Sequence, residues 1–375
     1  MGYNDGIVVG TKILVDYMAN FISSQLKQLI SASVPLRAKE RIKKRLGLSK
    51  PWQWQEPEEW KFNIDVVSGC NLRCVACPVG MPEYSNSIGK SMNYMSEETF
   101  EQICIKALKD SRGKCNFGLY NWTEPTLHPH LDKLIGIANK HEIPCGISTN
   151  LNHDYQWSRL LDVRLSHMVI TVSGLTQRTY QLNHKGGLID KVIKNLVQVS
   201  RDLSSARWFK NIYIVYLVHE QNKDEYSLFK VLADSLGIPI VPALAYYMPI
   251  EKVLDGISKS HDDLKYISYE PQKMQKALGH YRSSSCSLRD RQIALDSKAN
   301  FFVCCGQSPS AAPLGNYLSA DFQQMQSQRS ESDLCAKCTK EGVNILMTYG
   351  SEETPSYQVA LEAAAGFNRA DFPSS

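Results

Sequence analysis

From residue 61 onward, short β-rich runs alternate with helical stretches, and this alternation limits the fold more than any other feature of the chain. The β-rich runs cover 61–67, 114–120, 143–149, 167–173, 211–217 and 239–245; helical patterns cover 96–110, 130–140, 156–161, 188–203 and 223–236. Repeated βα units build a parallel sheet, because each helix carries the chain back to begin the next strand in the same direction. Six of them predict an α/β fold, either an incomplete barrel or a doubly wound sheet, with chemistry at the carboxyl ends of the strands. Cys70, Glu124, Asn150 and Ser173 all fall at or just beyond such ends.

The flanks of this series differ from it. Over residues 11–30 the apolar positions Ile13, Leu14, Met18, Phe21, Ile22, Leu26, Leu29 and Ile30 recur at helical spacing, which predicts an amphipathic helix. Pro35 breaks the pattern, and residues 37–50 then carry seven basic side chains against the single acid Glu40. Such a segment suits a membrane surface or an acidic partner, and equally a helical cap packed on the main domain. After about residue 250 the βα rhythm fades and the remaining cysteines gather between Cys286 and Cys338. The expected division is therefore a helical, basic extension over 1–60, a βα domain over 61–250, a small cysteine-organised unit over 251–345, and a tail over 346–375.

Cysteine usage narrows the chemistry. Eleven cysteines, an odd number with no secretory signal pattern before them, argue for metal or redox chemistry in a reducing cytoplasm rather than a disulfide framework. A net charge of +4, from 42 basic against 38 acidic residues, is too small for a nucleic-acid-binding surface. No run of apolar residues is long enough to cross a bilayer. Cys70, Cys74 and Cys77 lie in the run Gly69-Cys-Asn-Leu-Arg-Cys-Val-Ala-Cys-Pro78, directly after the first predicted strand. Three soft thiolates at this spacing suit an iron-sulfur cluster or a zinc site, and a cubane held at three corners leaves one iron open for reaction.

This CxxxCxxC loop after the first strand of a βα series resembles the radical S-adenosylmethionine (radical SAM) superfamily. Later landmarks follow in order. Trp122-Thr123-Glu124-Pro125 stands where the family has Gly-Gly-Glu-Pro, with both glycines replaced. Ser148-Thr149-Asn150 resembles the family's strand end, Ser173-Gly174 its next polar turn, and His184-Lys185-Gly186-Gly187 a segment where the family often places an arginine. The resemblance implies a partial (β/α)6 TIM-like barrel and a 4Fe-4S cluster on Cys70, Cys74 and Cys77. It further implies SAM bound by Trp122, Thr123, Glu124, Ser148, Asn150, Ser173 and Lys185, with the Glu124 carboxylate on the SAM ammonium and Lys185 on its carboxylate. The implied activity is reductive cleavage of SAM to a 5′-deoxyadenosyl radical that takes hydrogen from a substrate. Ala76 replaces the aromatic residue often found before the third cysteine, so adenine would need another wall.

A second set comprises Cys286, Cys304, Cys335 and Cys338. Cys335-Ala-Lys-Cys338 alone suits zinc, a redox disulfide or a cluster. Residues 295–305 read as a hairpin with a polar tip that delivers Cys304. The pattern Cys286-x12-Ala299-x4-Cys304, followed by the distant CxxC, resembles the SPASM domain or its shorter twitch form, with Ala299 in a glycine's place. No cysteine follows Cys338, which favours twitch and one auxiliary 4Fe-4S cluster, with structural zinc as the competing reading. Cys305 is supernumerary: it suits ligand exchange, hydrogen donation to a substrate radical, or no role. Cys104, Cys115 and Cys145 are expected to be buried and inert.

Radical SAM proteins with such a C-terminal domain mostly mature ribosomally made peptides, and fewer act on sugars or aminocyclitols. The resemblance therefore implies a precursor-peptide substrate, presented by a separate partner protein, with cross-linking, epimerisation or residue excision as outcome. A flavodoxin- or ferredoxin-type reductant is expected with it. A sugar or aminocyclitol dehydrogenase or epimerase near a membrane is the alternative, and a non-catalytic electron carrier a third reading. Tyr246 and Tyr247, ending the sixth predicted strand, line the substrate site in this reading or pack in the core.

Overall fold

The computed structural model describes residues 58–85, 92–245, 248–258, 271–272, 275 and 286–344. All of them fall in one unit, Gln55–Ser375. The expected N-terminal amphipathic helix and basic run, Tyr246, Tyr247 and the C-terminal tail lie outside the described residues.

All six expected strands form: β1 (Trp60–Ile64), β2 (Cys115–Gly118), β3 (Cys145–Thr149), β4 (His167–Val172), β5 (Ile212–Val218) and β6 (Ile240–Leu244). They pair in parallel in the order β6-β5-β4-β3-β2-β1. The result is an α/β fold with an open, parallel-dominated sheet, consistent with a partial barrel. Its crossover helices are α1 (Glu97–Asp110), α2 (Leu131–Lys140), α3 (Gln177–Asn183), α4 (Ile189–Leu203) and α5 (Tyr226–Ser235). The stretch read as helical near 156–161 closes only into a 3-10 turn, Trp157–Leu160. Helix α3 was not legible because it is short and polar, and tertiary contacts decide it.

Local chemistry accounts for the elements. Helix α1 begins where Ser96 accepts the Thr99 N–H, with Glu97 and Glu98 in its first turn, satisfying orphan donors and the positive end of the dipole. Its Phe100, Ile103, Cys104 and Ala107 repeat at helical spacing and are buried. On β1, Trp60, Phe62 and Ile64 point into the helix-covered core while Lys61 is half-buried on the opposite, concave face. That period of two extends across the sheet to half-buried His167 on β4 and Tyr213 on β5.

The C-terminal segment does not form a separate sheet. Strand β7 (Gln292–Leu295) pairs in parallel with β1, from Lys61 beside Gln292 to Ile64 beside Leu295. Two short antiparallel strands, β8 (Asn300–Phe301) and β9 (Gly315–Asn316), extend the sheet beyond it. The expected hairpin is present, and its tip is fastened by Asp296, whose Oδ1 accepts the N–H groups of Lys298 and Asn300. Ala299 there has φ of 62°, the left-handed conformation that glycine adopts without strain. The boundary expected at 250 thus divides cysteine sets but not hydrogen-bonded layers. Helix α6 (Ile250–Ser258) is tied across it by the Ile250 N–H on Gly306 O at 2.8 Å. Helices α7 (Phe322–Ser330) and α8 (Asp333–Glu341) close the described chain. No helix among the described residues is long and apolar enough to cross a membrane.

Phe62 packs against Phe117 of β2 at 5.4 Å between ring centroids and against Tyr317 of the C-terminal segment at 5.7 Å. Truncating it therefore opens a cavity shared by both halves. Phe62→Ala is expected to lower stability by about 3–5 kcal/mol, with both halves melting in one denaturant transition; a cost below about 1 kcal/mol contradicts this packing.

Candidate functional site

Beyond the end of β1 the chain turns into the cysteine loop, which is held from several directions. Gly80 N–H donates to Cys77 O at 2.9 Å and Cys77 N–H to Cys74 O at 3.2 Å. A Cβ at Gly80 would stand 2.2 Å from Cys74 O, so only glycine permits this approach. The other side of the loop leans on the turn after α3. Arg73 N–H donates to Lys185 O, Val75 N–H to Asn183 O, and Ala76 N–H to Asn183 Oδ1. The three thiols are gathered closely enough to raise one another. Burial is the largest cause in each case: Cys70 is pushed up to about 12, Cys77 to about 11, and Cys74 well above its ordinary value with Cys77 and Cys70 as next causes.

The turn after β2 is built on Asp65, which the sequence pattern did not single out. Its Oδ1 accepts from the N–H groups of Asn121, Trp122 and Thr123 at 3.0–3.1 Å and from the Thr123 hydroxyl at 2.7 Å. Burial raises its pKa to about 6 despite these donors. Glu124 follows, 3% exposed. Its Oε1 accepts from the Thr126 hydroxyl and N–H, and its Oε2 from Asn150 N–H at 2.8 Å. Burial raises its pKa as well. The carboxylate expected to hold a ligand ammonium thus also accepts from three of this chain's own donors. It joins the ends of β2 and β3, while Glu124 N–H reaches back to Gly69 O at 3.3 Å.

Asn150 stands at the third strand end, with Nδ2 on Asn71 Oδ1 at 3.0 Å and 3.7 Å from Cys70 Sγ. Ser148 is half-buried on β3. Ser173, at the fourth strand end, is wholly buried. Its hydroxyl pairs with His184 Nδ1 at 2.5 Å and donates to Tyr180 O, so it braces the site from behind rather than facing it. The His184 ring stacks on Tyr180, centroids 4.7 Å apart and planes 2° apart. Tyr180 Oη in turn accepts from Asn152 Nδ2 at 2.7 Å. Lys185 is exposed on the turn that carries the cysteine loop. The side chains of Glu124 and Ser173 are buried inside the fold, whereas Trp122, Thr123, Ser148, Asn150 and Lys185 keep some exposure. Asn152 and Asn183 were missed in the sequence, since each acts through a partner on another element.

The second cysteine set also converges. Cys286, Cys304, Cys335 and Cys338 are buried and unbridged. Cys335 and Cys338 share the first turns of α8, where Ser332 Oγ caps Cys335 N–H. Burial is again the main cause that raises Cys286 to about 11, with Asp290 and Cys335 adding to it. Cys304 and Cys338 are raised by burial and by neighbouring thiols of the set. Among the described residues no three His, Cys, Asp or Glu side chains stand close enough to hold one metal ion. Cys305 lies on the concave face, its Sγ donating to Gln292 Oε1 at 3.5 Å. The Trp122 indole N–H donates to Gln307 O at 3.1 Å, linking the turn after β2 to this segment.

His184 carries a pH dependence. Burial, then His219, lowers its pKa to about 3, so the imidazole is neutral in the folded protein, whereas the unfolded chain binds a proton below about pH 6.5. Stability from this group is present above that value and is lost as pH falls toward the folded pKa. The loss between pH 7 and pH 5 is expected to be about 2 kcal/mol. Urea midpoints of the wild type against His184→Gln check this; an equal loss in both proteins contradicts it.

Residues 64–232, from the end of β1 into α5, match the family model described as Radical SAM superfamily. The structure of Streptococcus suis SuiB bound to S-adenosylmethionine is similar at 14% identity and a TM-score of 0.50, over 95% of this chain and 90% of that one. SuiB bound to the precursor peptide SuiA aligns at 13% identity and a TM-score of 0.49, over 89% and 80%. BtrN in complex with AdoMet and 2-DOIA aligns at 14% and 0.42, over 77% and 90%. These likenesses concern the fold. No curated protein sequence matches. The family match spans the cysteine loop, the turn after β2 and the third and fourth strand ends, and a radical SAM superfamily domain over residues 64–232 supports an iron-sulfur enzyme.

Proposed function

We propose that Cys70, Cys74 and Cys77 hold a 4Fe-4S cluster, that SAM binds beside it at the carboxyl ends of β1 to β4, and that the substrate is a ribosomally made peptide. The observation that carries this reading is the gathering of three half-buried thiols in one loop at the end of β1, braced by Asn150 and by the Tyr180–His184 stack. Bound together, the cluster and SAM supply a 5′-deoxyadenosyl radical that takes a hydrogen atom from the substrate. The chain's own residues place and shield that chemistry. Asp65 fixes the turn at Trp122 and Thr123, so backbone groups there are preorganised for a polar ligand. Lys185 offers a point charge to a carboxylate, and Asn150 an amide beside Cys70.

Cys286, Cys304, Cys335 and Cys338 hold a second, fully ligated 4Fe-4S cluster in this reading, of the twitch type. The peptide assignment rests on that cysteine pattern; SuiB, whose SuiA-bound form is known, is a protein of similar fold that takes a peptide. A flavodoxin- or ferredoxin-type protein is the proposed reductant.

Two measurements test the reading. Anaerobically reduced wild-type protein is expected to release 5′-deoxyadenosine from SAM and Cys74→Ala to release none; release by the variant overturns the cluster assignment. Coexpression with the short reading frames that flank the gene is expected to give a peptide with a mass change that disappears with Cys74→Ala. An unchanged peptide mass, with turnover of a sugar or aminocyclitol instead, overturns the substrate class.

A further inference from the structure

Arg329, on α7, is 0% exposed. Its donors all meet neutral acceptors: Nε on Val303 O at 2.9 Å, Nη1 on Gln326 Oε1 at 2.9 Å, and Nη2 on Gln292 O at 2.5 Å and Leu288 O at 3.3 Å. Among the described residues no carboxylate pairs with it. The nearby acid, Asp290, is already bridged by Arg289 at 2.6 Å and accepts Cys286 N–H at 2.9 Å. Glu251 accepts the Ser308 N–H and lies beside Cys338 instead. A guanidinium without a counter-charge is costly to bury. Its carbonyl partners Val303 and Leu288 stand close to Cys304 and Cys286 in the chain, and against the lowering by burial, Cys304, Cys305, Asp290 and Cys286 favour its charged form. Arg289 adds a direct contact, Nη1 donating to Cys335 Sγ at 3.4 Å.

We infer that Arg329 and Arg289 are the built-in counter-charges of the four-cysteine site, and that they hold the reduction potential of its cluster up. The inference rests on the auxiliary-cluster reading above. Four neutral thiols or a disulfide would leave Arg329 uncompensated, whereas a tetrathiolate 4Fe-4S cluster is an anion that gains one further negative charge on reduction. A buried cation beside it and an N–H donor on a ligand sulfur both favour the reduced form. Arg289 is shared between Asp290 and the Cys335 sulfur, so Arg329 is the stronger of the two counter-charges. Among the described residues the first cysteine set shows no such buried arginine: Arg73, in its own loop, is exposed and donates to the carbonyls of Cys70 and Leu72. The second cluster is thereby the easier of the two to reduce.

The test is a potentiometric titration of the reconstituted full chain followed by electron paramagnetic resonance. In Arg329→Gln the second cluster is expected to have a midpoint lower by about 59 mV or more, a tenfold drop in the reduced-to-oxidised ratio at fixed potential. Arg329→Lys, which keeps the charge, is expected to stay near the wild type. An unchanged midpoint in Arg329→Gln overturns the inference. Arg289→Gln, outside the carbonyl web of Arg329, is expected to shift the midpoint the same way; if Arg329→Gln does not fold, an unshifted Arg289→Gln overturns it. The Cys335→Ala/Cys338→Ala variant separates this from the reading beneath it. Iron is expected to fall from about eight to about four per chain, and unchanged iron refutes the auxiliary cluster itself, whatever the arginines do.

Discussion

The site depends most on one buried carboxylate. Asp65 sits where β1 ends and the cysteine loop begins, and its Oδ1 gathers the N–H groups of Asn121, Trp122 and Thr123. Its own N–H is fixed to Leu295 O of β7 at 2.9 Å. One side chain therefore couples the loop after β1, the turn after β2 and the C-terminal strand that flanks β1. The cost of burying it, visible in its raised pKa, is offset by several hydrogen bonds to a carboxylate, which are stronger than bonds between neutral groups. Glu124 repeats the device one strand further, joining β2 to β3 through Asn150. Two carboxylates thus convert a row of parallel strand ends into a rigid rim.

That rim explains what the sequence could and could not reveal. The strands were legible because period-two burial and crossover helices leave a local pattern, as in Trp60, Phe62 and Ile64 against Lys61. The cysteine loop was legible because ligand spacing is a local property as well. The uses of Glu124 and Ser173 were not, because each engages a partner that arrives from elsewhere in the chain. Glu124, expected to face a ligand ammonium, also serves Thr126 and Asn150; Ser173, expected at the SAM site, also braces His184. Asp65 and Asn152 went unnoticed for the same reason, being ordinary residues until the fold brings their partners.

The C-terminal segment shows a related contrast. Its cysteine spacing and hairpin could be read directly, and Ala299 in a glycine's place takes up the left-handed conformation that such a position demands. The pairing of β7 with β1 could not be read, since two strands so far apart in the chain share no local signal. Its consequence is functional: Trp122 reaches Gln307, and Cys305 lies on the concave face beside Gln292. The two cysteine sets therefore belong to one hydrogen-bonded framework in which the placement of one constrains the other.

The most direct test of this account is the electron paramagnetic resonance spectrum of the reduced Cys335→Ala/Cys338→Ala protein, with and without SAM. The account predicts a remaining 4Fe-4S signal, from the cluster on Cys70, Cys74 and Cys77, that changes when SAM is added. A signal indifferent to SAM, or the absence of any cluster signal from a protein that retains its fold, would contradict it.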